Sequence, residues 1–184
     1  LFLKQVYHNH SAQLQVMNTL DASSSNCDVF IFGYIIEHTF WVTLLGFTFN
    51  PSLFKKLGAI DYLEFSKKII KETKDKPISI EVFADDHDTC LNQAKKINSL
   101  GSNIYVKIPI TYTNGKSTIK LIEKLSSDKI KLNITAIFTL DQIRNILDVI
   151  KNYPHILSIF SGRIYDIGKD AFILFKEMSD YIHS

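Results

Sequence analysis

The sequence predicts an α/β fold in which parallel strands alternate with helices. The first observation is a rhythm of β-branched, apolar runs about 25 to 35 residues apart, separated by segments with helical apolar spacing. The second is that these runs are apolar almost throughout, as in strands buried on both faces of a parallel sheet. The third is that polar residues recur inside successive runs. This favours a barrel, where such residues converge on one axis, over an open sheet.

Six apolar runs are predicted to be strands, and five further segments to be helices. Asp61 with Glu64, and Thr139 with Gln142, have the three-residue spacing of capping boxes, and Asp86 is suited to begin another helix. The predicted strands are residues 29–36, 44–49, 77–84, 103–110, 131–138 and 155–160. The predicted helices lie near residues 62–73, 87–101, 119–125, 140–150 and 172–182.

Length and composition fit a single globular domain covering residues 1–184. With 46% hydrophobic residues the chain is not disordered, and a net charge of +2 gives no sign of nucleic-acid binding. Cys27 and Cys90 lack metal-site or disulfide-framework spacing, which favours the reducing cytoplasm. No signal-peptide pattern is present, and the first residue is Leu1, so the true start is expected to be missing. Residues 1–28 are weakly patterned, with short elements expected near 1–3 and 14–17.

Residues 29–49 form an apolar segment long enough to span a bilayer. However, Glu37 and His38 lie near its middle, where ionisable side chains are costly. Two buried strands with a short connection are therefore the favoured interpretation, and no membrane association is expected. His38 has no partner at metal-ligand spacing, so we interpret it as a packed or surface histidine and expect no metal.

The strand predicted at 103–110 carries one lysine, Lys107, within its apolar run. Side chains alternate across a strand, so Lys107 lies on the opposite face from Val106 and Ile108. A buried lysine is costly unless it is paired or neutral, and a neutral amine attacks carbonyl carbon to form a Schiff base. The alternatives are a structural ion pair and a strand-end lysine that reaches water.

Five motifs occur in order along the chain: GFTFNPSL (46–53), SIEVFAD (79–85), YVKIPIT (105–111), LNITAIFT (132–139) and IFSGRI (159–164). Together they resemble the transaldolase and fructose-6-phosphate aldolase family of class I aldolases, from about Gly46 to about Gly168. The resemblance implies a (β/α)8 TIM barrel of carbohydrate metabolism, as in the pentose phosphate pathway. It also implies a Schiff-base transferase or aldolase that moves or releases a dihydroxyacetone unit. The implied partners are a ketose phosphate donor and an aldose acceptor, with no cofactor.

The resemblance also implies roles for single residues. Lys107 matches the Schiff-base lysine, and Glu81 matches the residue that positions the catalytic water. Thr135 matches a residue that lines the Schiff base and completes the predicted catalytic group, and Arg163 is implied as a phosphate ligand. The predicted substrate-binding residues are Thr48, Asn50, Asn133, Ser158 and Arg163.

Each of these residues also has a purely structural interpretation. Glu81 and Lys107 together make a plausible buried ion pair, and Arg163 a plausible surface arginine. The remaining polar residues are also consistent with strand-end hydrogen bonds, a turn before Pro51 or a packed core hydroxyl. These residues are Thr48, Asn50, Asn133, Thr135 and Ser158.

The sequence departs from the family pattern in two main ways. Phe32-Gly33 stands where the family carries a first-strand aspartate, and the sequence ends after the sixth predicted strand and its helix. A closed barrel needs eight strands, so the expected fold is an incomplete barrel of about six βα units. Its first and sixth strands are expected to be open edges, which favours a homo-oligomer or poor solubility. The alternative functions are an impaired or inactive member that only binds a sugar phosphate or a partner, and a fragment without function.

Overall fold

The computed structural model describes residues 15–20, 27–32, 47–51, 55, 60–73, 76–150 and 153–182. The strands of this part are β1 (Gln15–Leu20), β2 (Cys27–Phe32), β3 (Phe47–Phe49), β4 (Ile78–Glu81), β5 (Ile104–Pro109), β6 (Leu132–Ile137) and β7 (His155–Phe160). Its named helices are α1 (Tyr62–Thr73), α2 (His87–Asn98), α3 (Ile119–Ser127), α4 (Leu140–Val149), α5 (Ser161–Asp166) and α6 (Ala171–Ile182).

The strands form one sheet in the order β2-β1-β7-β6-β5-β4-β3. From β3 to β7 each strand runs parallel to the next one in the chain, and helices occupy the connections between them. This arrangement confirms the predicted α/β alternation. The five parallel strands and their helices are a curled half-barrel, an incomplete form of the (β/α)8 barrel.

A hydrogen bond that crosses β5 shows the curl of the sheet. The Asn133 side-chain amide on β6 donates to the Ser79 hydroxyl on β4, with 2.9 Å between nitrogen and oxygen. Neighbouring strands are about 4.8 Å apart, so β4 and β6 of a flat sheet would be separated by nearly 10 Å, beyond the reach of these two side chains. Both strands therefore bend toward this face, which is the concave one.

The convex face packs against the helices and contains most of the large aliphatic side chains of the strands. His155, which lies on this face of β7, contacts Ser126 of α3, with 3.0 Å between Nε2 and Oγ. Burying a large aliphatic side chain contributes roughly 1.5–3 kcal/mol, so each of these aliphatic residues stabilises the fold. The fully buried strand residues of this layer include Ile78, Ile80, Ile104, Val106, Ile108, Leu132, Ile134 and Leu157.

The helices begin where the capping residues predict. The Thr139 hydroxyl accepts from the backbone N–H of Gln142, and the Gln142 side-chain oxygen accepts from the backbone N–H of Thr139. The two hydrogen bonds complete a capping box. Asp86 caps α2 by accepting from the Thr89 backbone N–H at 2.9 Å. Helix α2 ends at Asn98, slightly earlier than predicted, and the short helix α5 was not predicted at all.

The N-terminal strands differ from the prediction. β1 pairs antiparallel with β7, and β2 pairs antiparallel with β1. The prediction of an open edge at His155–Phe160 is therefore wrong, because β1 supplies a backbone partner there. The edges of the described sheet are β2 and β3. Residues 33–46, with Gly33, Glu37 and His38, lie outside the described residues. Within the described part, no helix is both long and apolar enough to cross a membrane.

Candidate active site

A cleft of about 610 Å³ opens at the carboxyl ends of β4, β5, β6 and β7. Ligands of parallel barrels bind at this end of the strands, because the loops that follow the strands surround it. The cleft therefore lies where the fold predicts a site. Five of the predicted site residues line it: Asn50, Glu81, Lys107, Thr135 and Arg163.

Lys107 and Glu81 form an ion pair at this cleft, with 3.0 Å between Nζ and Oε2. The two residues face each other because they are register partners on the neighbouring strands β4 and β5. Their side chains are only 4% and 18% exposed, so the pair is largely shielded from water. The amine and the carboxylate are thus close enough to exchange a proton directly.

Thr135 lines the same cleft, and its hydroxyl is buried. Its Oγ1 has no hydrogen-bond partner among the residues that the structure describes. The next residue, Ala136, has a φ of +60°, and the pairing of β6 with β7 shifts register between Ile134 and Ile137. Such backbone strain is common at functional sites, where it directs side chains and carbonyl groups. An unpaired buried hydroxyl is costly, so a ligand that bonds it would gain affinity.

Asn133 and Ser158 are fully buried and do not line the cleft. Asn133 is the register partner of Lys107, and it accepts at 2.7 Å from the Ser158 hydroxyl while it donates to Ser79. This row of hydrogen bonds joins β4, β6 and β7 across the concave face. It holds the Asn133 amide in one orientation beside Lys107. Direct contact of Asn133 and Ser158 with substrate stays a prediction.

The other predicted binding residues are more dispersed. Asn50 follows β3 and is exposed on the cleft, and Arg163 of α5 is exposed on the cleft near Phe160. Thr48 of β3 is the register partner of Ser79, and its Oγ1 is buried without a hydrogen-bond partner in the described part of the chain. Thr48 does not line the cleft, so the structure brings only Asn50 and Arg163 of this group to it.

Contacts from two helices hold the end of β4. The Tyr62 hydroxyl donates to the Glu81 carbonyl at 2.5 Å, and the Gln93 side chain accepts from the backbone N–H groups of Phe83 and Ala84 at 3.0 Å each. Burial, and then the charge of Glu81, raise the pKa of Tyr62, so its phenol stays protonated. These positioning contacts join residues 9 to 19 positions apart, and local sequence patterns do not reveal them.

A further hydrogen-bonded pair on the cleft was missed by the sequence prediction. Thr113 donates its backbone N–H to the Asp85 carboxylate at 2.7 Å and donates its hydroxyl to the same group. These hydrogen bonds, first the hydroxyl and then the N–H, hold the pKa of Asp85 below its ordinary value. Asp85 ends the SIEVFAD motif, a signal that pointed to this position. Within the described residues, no group of three or more His, Cys, Asp or Glu side chains is placed to bind a metal ion.

Comparison of the sequence with known proteins identifies the family that it resembles. The model of a family described as Transaldolase/Fructose-6-phosphate aldolase matches residues 27–184. A "Probable transaldolase" of Methanococcus maripaludis is 38% identical over 133 residues, which cover 72% of this chain and 58% of the relative. Proteins of the same name are 37% identical over 135 residues in Thermoplasma volcanium and 36% identical over 137 residues in Clostridioides difficile. These alignments cover 72% and 74% of the chain, and 57% and 59% of the relatives, so the chain spans less than two thirds of their length.

Proposed function

Because the chain belongs to the transaldolase and fructose-6-phosphate aldolase family, we propose that it transfers or releases a dihydroxyacetone unit of a ketose phosphate through a Schiff base at Lys107. The observation that carries the proposal is the shielded pair of Lys107 and Glu81 on the cleft, with 3.0 Å between nitrogen and oxygen. The pair combines an amine nucleophile with a carboxylate that can move protons, the two groups that aldol cleavage requires.

The proposed reaction begins when Lys107 gives a proton to Glu81 and its free amine attacks the ketose carbonyl carbon. The carbonyl oxygen takes one proton from the attacking nitrogen and the proton held by Glu81, and it leaves as water. An iminium remains, and Glu81 is again a carboxylate. Glu81, acting through a water molecule, then removes the proton of the substrate hydroxyl on the far carbon of the bond that breaks, and this carbon becomes the aldehyde carbon. The electron pair of that carbon–carbon bond moves into the iminium, which gives an enamine and frees the aldose. The enamine attacks an acceptor aldehyde or takes a proton, and hydrolysis restores the amine.

Three further residues have proposed roles in this reaction. Thr135 offers its unpaired hydroxyl to the water molecule or to a substrate hydroxyl. Asn50 binds a hydroxyl of the donor from the rim of the cleft. Arg163 binds the phosphate, because its planar guanidinium donates two parallel hydrogen bonds to phosphate oxygens.

The test of the Schiff base is chemical trapping. The protein is incubated with fructose 6-phosphate and borohydride, and the modified peptide is mapped by mass spectrometry. We expect a reduced adduct at Lys107, no adduct in Lys107→Met, and an unchanged adduct in Lys124→Met, which removes an exposed lysine of α3. An adduct at another lysine, or no adduct in a protein shown to be folded, would contradict the proposal.

The second candidate function is a catalytically impaired family member that only binds a sugar phosphate or a partner. Two observations favour it: Phe32-Gly33 stands where the family carries an aspartate, and β2 lies at the opposite edge of the described sheet from β3. Calorimetry with fructose 6-phosphate separates the two functions. Binding that is lost in Arg163→Ala, without any adduct at Lys107, would support the second function, whereas an adduct at Lys107 together with cleavage of fructose 6-phosphate would exclude it.

A further inference from the structure

The outer wall of the cleft contains a tyrosine that the proposed reaction does not use. Tyr112 follows β5 and lines the same cleft as Lys107. Its hydroxyl is buried and has no hydrogen-bond partner among the described residues. Buried phenol groups usually find a partner, and an unpaired one at a cleft indicates a group that a ligand completes. Nothing in the sequence prediction or in the resemblance assigned a role to this residue.

The loop that carries Tyr112 is held rigidly. The Tyr112 N–H donates to the Lys116 carbonyl at 2.9 Å, and the Gly115 N–H donates to the Tyr112 carbonyl at 3.0 Å. Gly115 has a φ of +81°, which the tight turn requires, and Thr111 pairs with Ser117 as an antiparallel bridge. The backbone of Tyr112 is therefore anchored on both sides within a small hairpin.

A second anchor acts at the neighbouring residue. The two hydrogen bonds from Thr113 to Asp85 join the tip of the hairpin to the loop between β4 and α2. We call this pair the Asp85–Thr113 clasp. It connects residues 28 positions apart and closes the wall of the cleft beside Tyr112. The clasp thus limits the movement of the tyrosine relative to β4 and its Glu81.

The surroundings of Tyr112 select the kind of ligand group that it can bind. The Cys90 thiol donates to the Ala84 carbonyl at 3.1 Å, and burial raises the pKa of this thiol to about 11, so its proton is engaged. Burial, then Cys90 and the carboxylates of Asp86 and Asp85, raise the pKa of the Tyr112 phenol. The nearby carboxylates disfavour an anionic phosphate at this position. The neutral phenol, by contrast, can both donate a hydrogen bond to a sugar hydroxyl and accept one from it.

We propose that Tyr112 binds a hydroxyl of the sugar chain beyond the carbons that react at Lys107, and that the Asp85–Thr113 clasp positions it. The inference rests on the proposed function in that it uses the same cleft and the same class of ligand. It adds a residue that distinguishes long polyhydroxy ligands from short ones. A ligand that has the phosphate but lacks the distal hydroxyls gains nothing from Tyr112.

The test uses direct binding, so that it does not depend on turnover. In the Lys107→Met background, which forms no Schiff base, calorimetry measures the Kd of fructose 6-phosphate and of dihydroxyacetone phosphate. Tyr112→Phe removes one oxygen atom and should raise the Kd of fructose 6-phosphate roughly three- to tenfold, the effect of one lost hydrogen bond. The Kd of dihydroxyacetone phosphate should stay within about twofold. Tyr181→Phe, which removes a hydroxyl from α6, should change neither constant.

The clasp is tested with Thr113→Val, alone and combined with Tyr112→Phe. If the clasp acts through Tyr112, the double variant should bind fructose 6-phosphate about as weakly as Tyr112→Phe alone. A clasp with only a structural role would lower Tm and leave the Kd unchanged. The inference is overturned if Tyr112→Phe binds fructose 6-phosphate normally, if both ligands weaken equally, or if the parent binds no sugar phosphate. If no adduct forms at Lys107 but the binding of fructose 6-phosphate depends on Tyr112, only the proposed Schiff base is overturned.

Discussion

The two faces of the parallel sheet are about equally buried, although one is polar and the other apolar. On the convex face, Ile80 and Ile134 have no exposed surface, and on the concave face neither do Asn133 and Ser158. Burial of the isoleucines is favourable by itself, whereas buried polar groups must find hydrogen bonds or lose stability. The concave face meets this requirement only in part, because the Thr135 hydroxyl has no partner among the described residues. The convex face therefore stabilises the fold, and the concave face keeps polar groups for a ligand.

The largest expected effect is on the concave face, at Glu81. If Glu81 moves protons through water, Glu81→Gln should slow the cleavage of fructose 6-phosphate by roughly 10²–10⁴-fold, and Glu81→Ala by at least as much. Its chain neighbour Ile80 faces the helices and provides the matched control. Ile80→Val should lower stability by roughly 0.5–1.5 kcal/mol and leave turnover within about twofold. An unchanged rate in Glu81→Ala would reduce Glu81 to a structural residue.

The second prediction compares neighbouring residues of β6 that point to opposite faces. Ile134→Ala leaves a cavity in the convex layer and should lower the free energy of unfolding by roughly 2–5 kcal/mol. Thr135→Val removes an unpaired hydroxyl, so stability should stay the same or rise, by at most about 1 kcal/mol, while turnover falls. Urea denaturation followed by circular dichroism measures both variants. A larger loss of stability in Thr135→Val than in Ile134→Ala would contradict the division between the faces.

The third prediction concerns His155, a polar residue on the convex face. Its Nδ1 accepts from the Leu132 N–H at 3.3 Å and its Nε2 lies 3.0 Å from the Ser126 hydroxyl, so the neutral ring fits both contacts. Burial lowers its pKa from 6.5 to about 4. Between these values the unfolded chain binds more protons, so the contribution of His155 is complete above about pH 6.5 and is lost as pH falls toward 4.

Over that window the free energy of unfolding should fall by at most about 3 kcal/mol through His155. Urea denaturation at a series of pH values between 7.5 and 4.5 measures it. His155→Gln does not titrate there, and its stability should fall less steeply over the same range. Equal slopes for the variant and the parent would assign the pH dependence to other groups.

The sequence by itself was sufficient for features that depend on near neighbours or on residue type. Asp86 and Thr139 begin helices because a cap bonds an N–H three residues further along the chain. The apolar run around Lys107 predicts a buried strand, and the alternation of side chains along a strand predicts the face on which Lys107 lies. The ordered motifs then predicted the family and a lysine with its acidic partner, and the ion pair between Lys107 and Glu81 agrees with that prediction.

Only the tertiary structure decided which distant segments meet. β1 pairs with β7 through backbone hydrogen bonds, which nearly any side chain permits, so the weakly patterned start of the chain gave no sign of it. The bond from Asn133 to Ser79 spans 54 positions and exists because the sheet curls. The clasp beside Tyr112 spans 28 positions and depends on where two loops end. Contacts of this kind follow from the packing of whole elements, which local spacing does not encode.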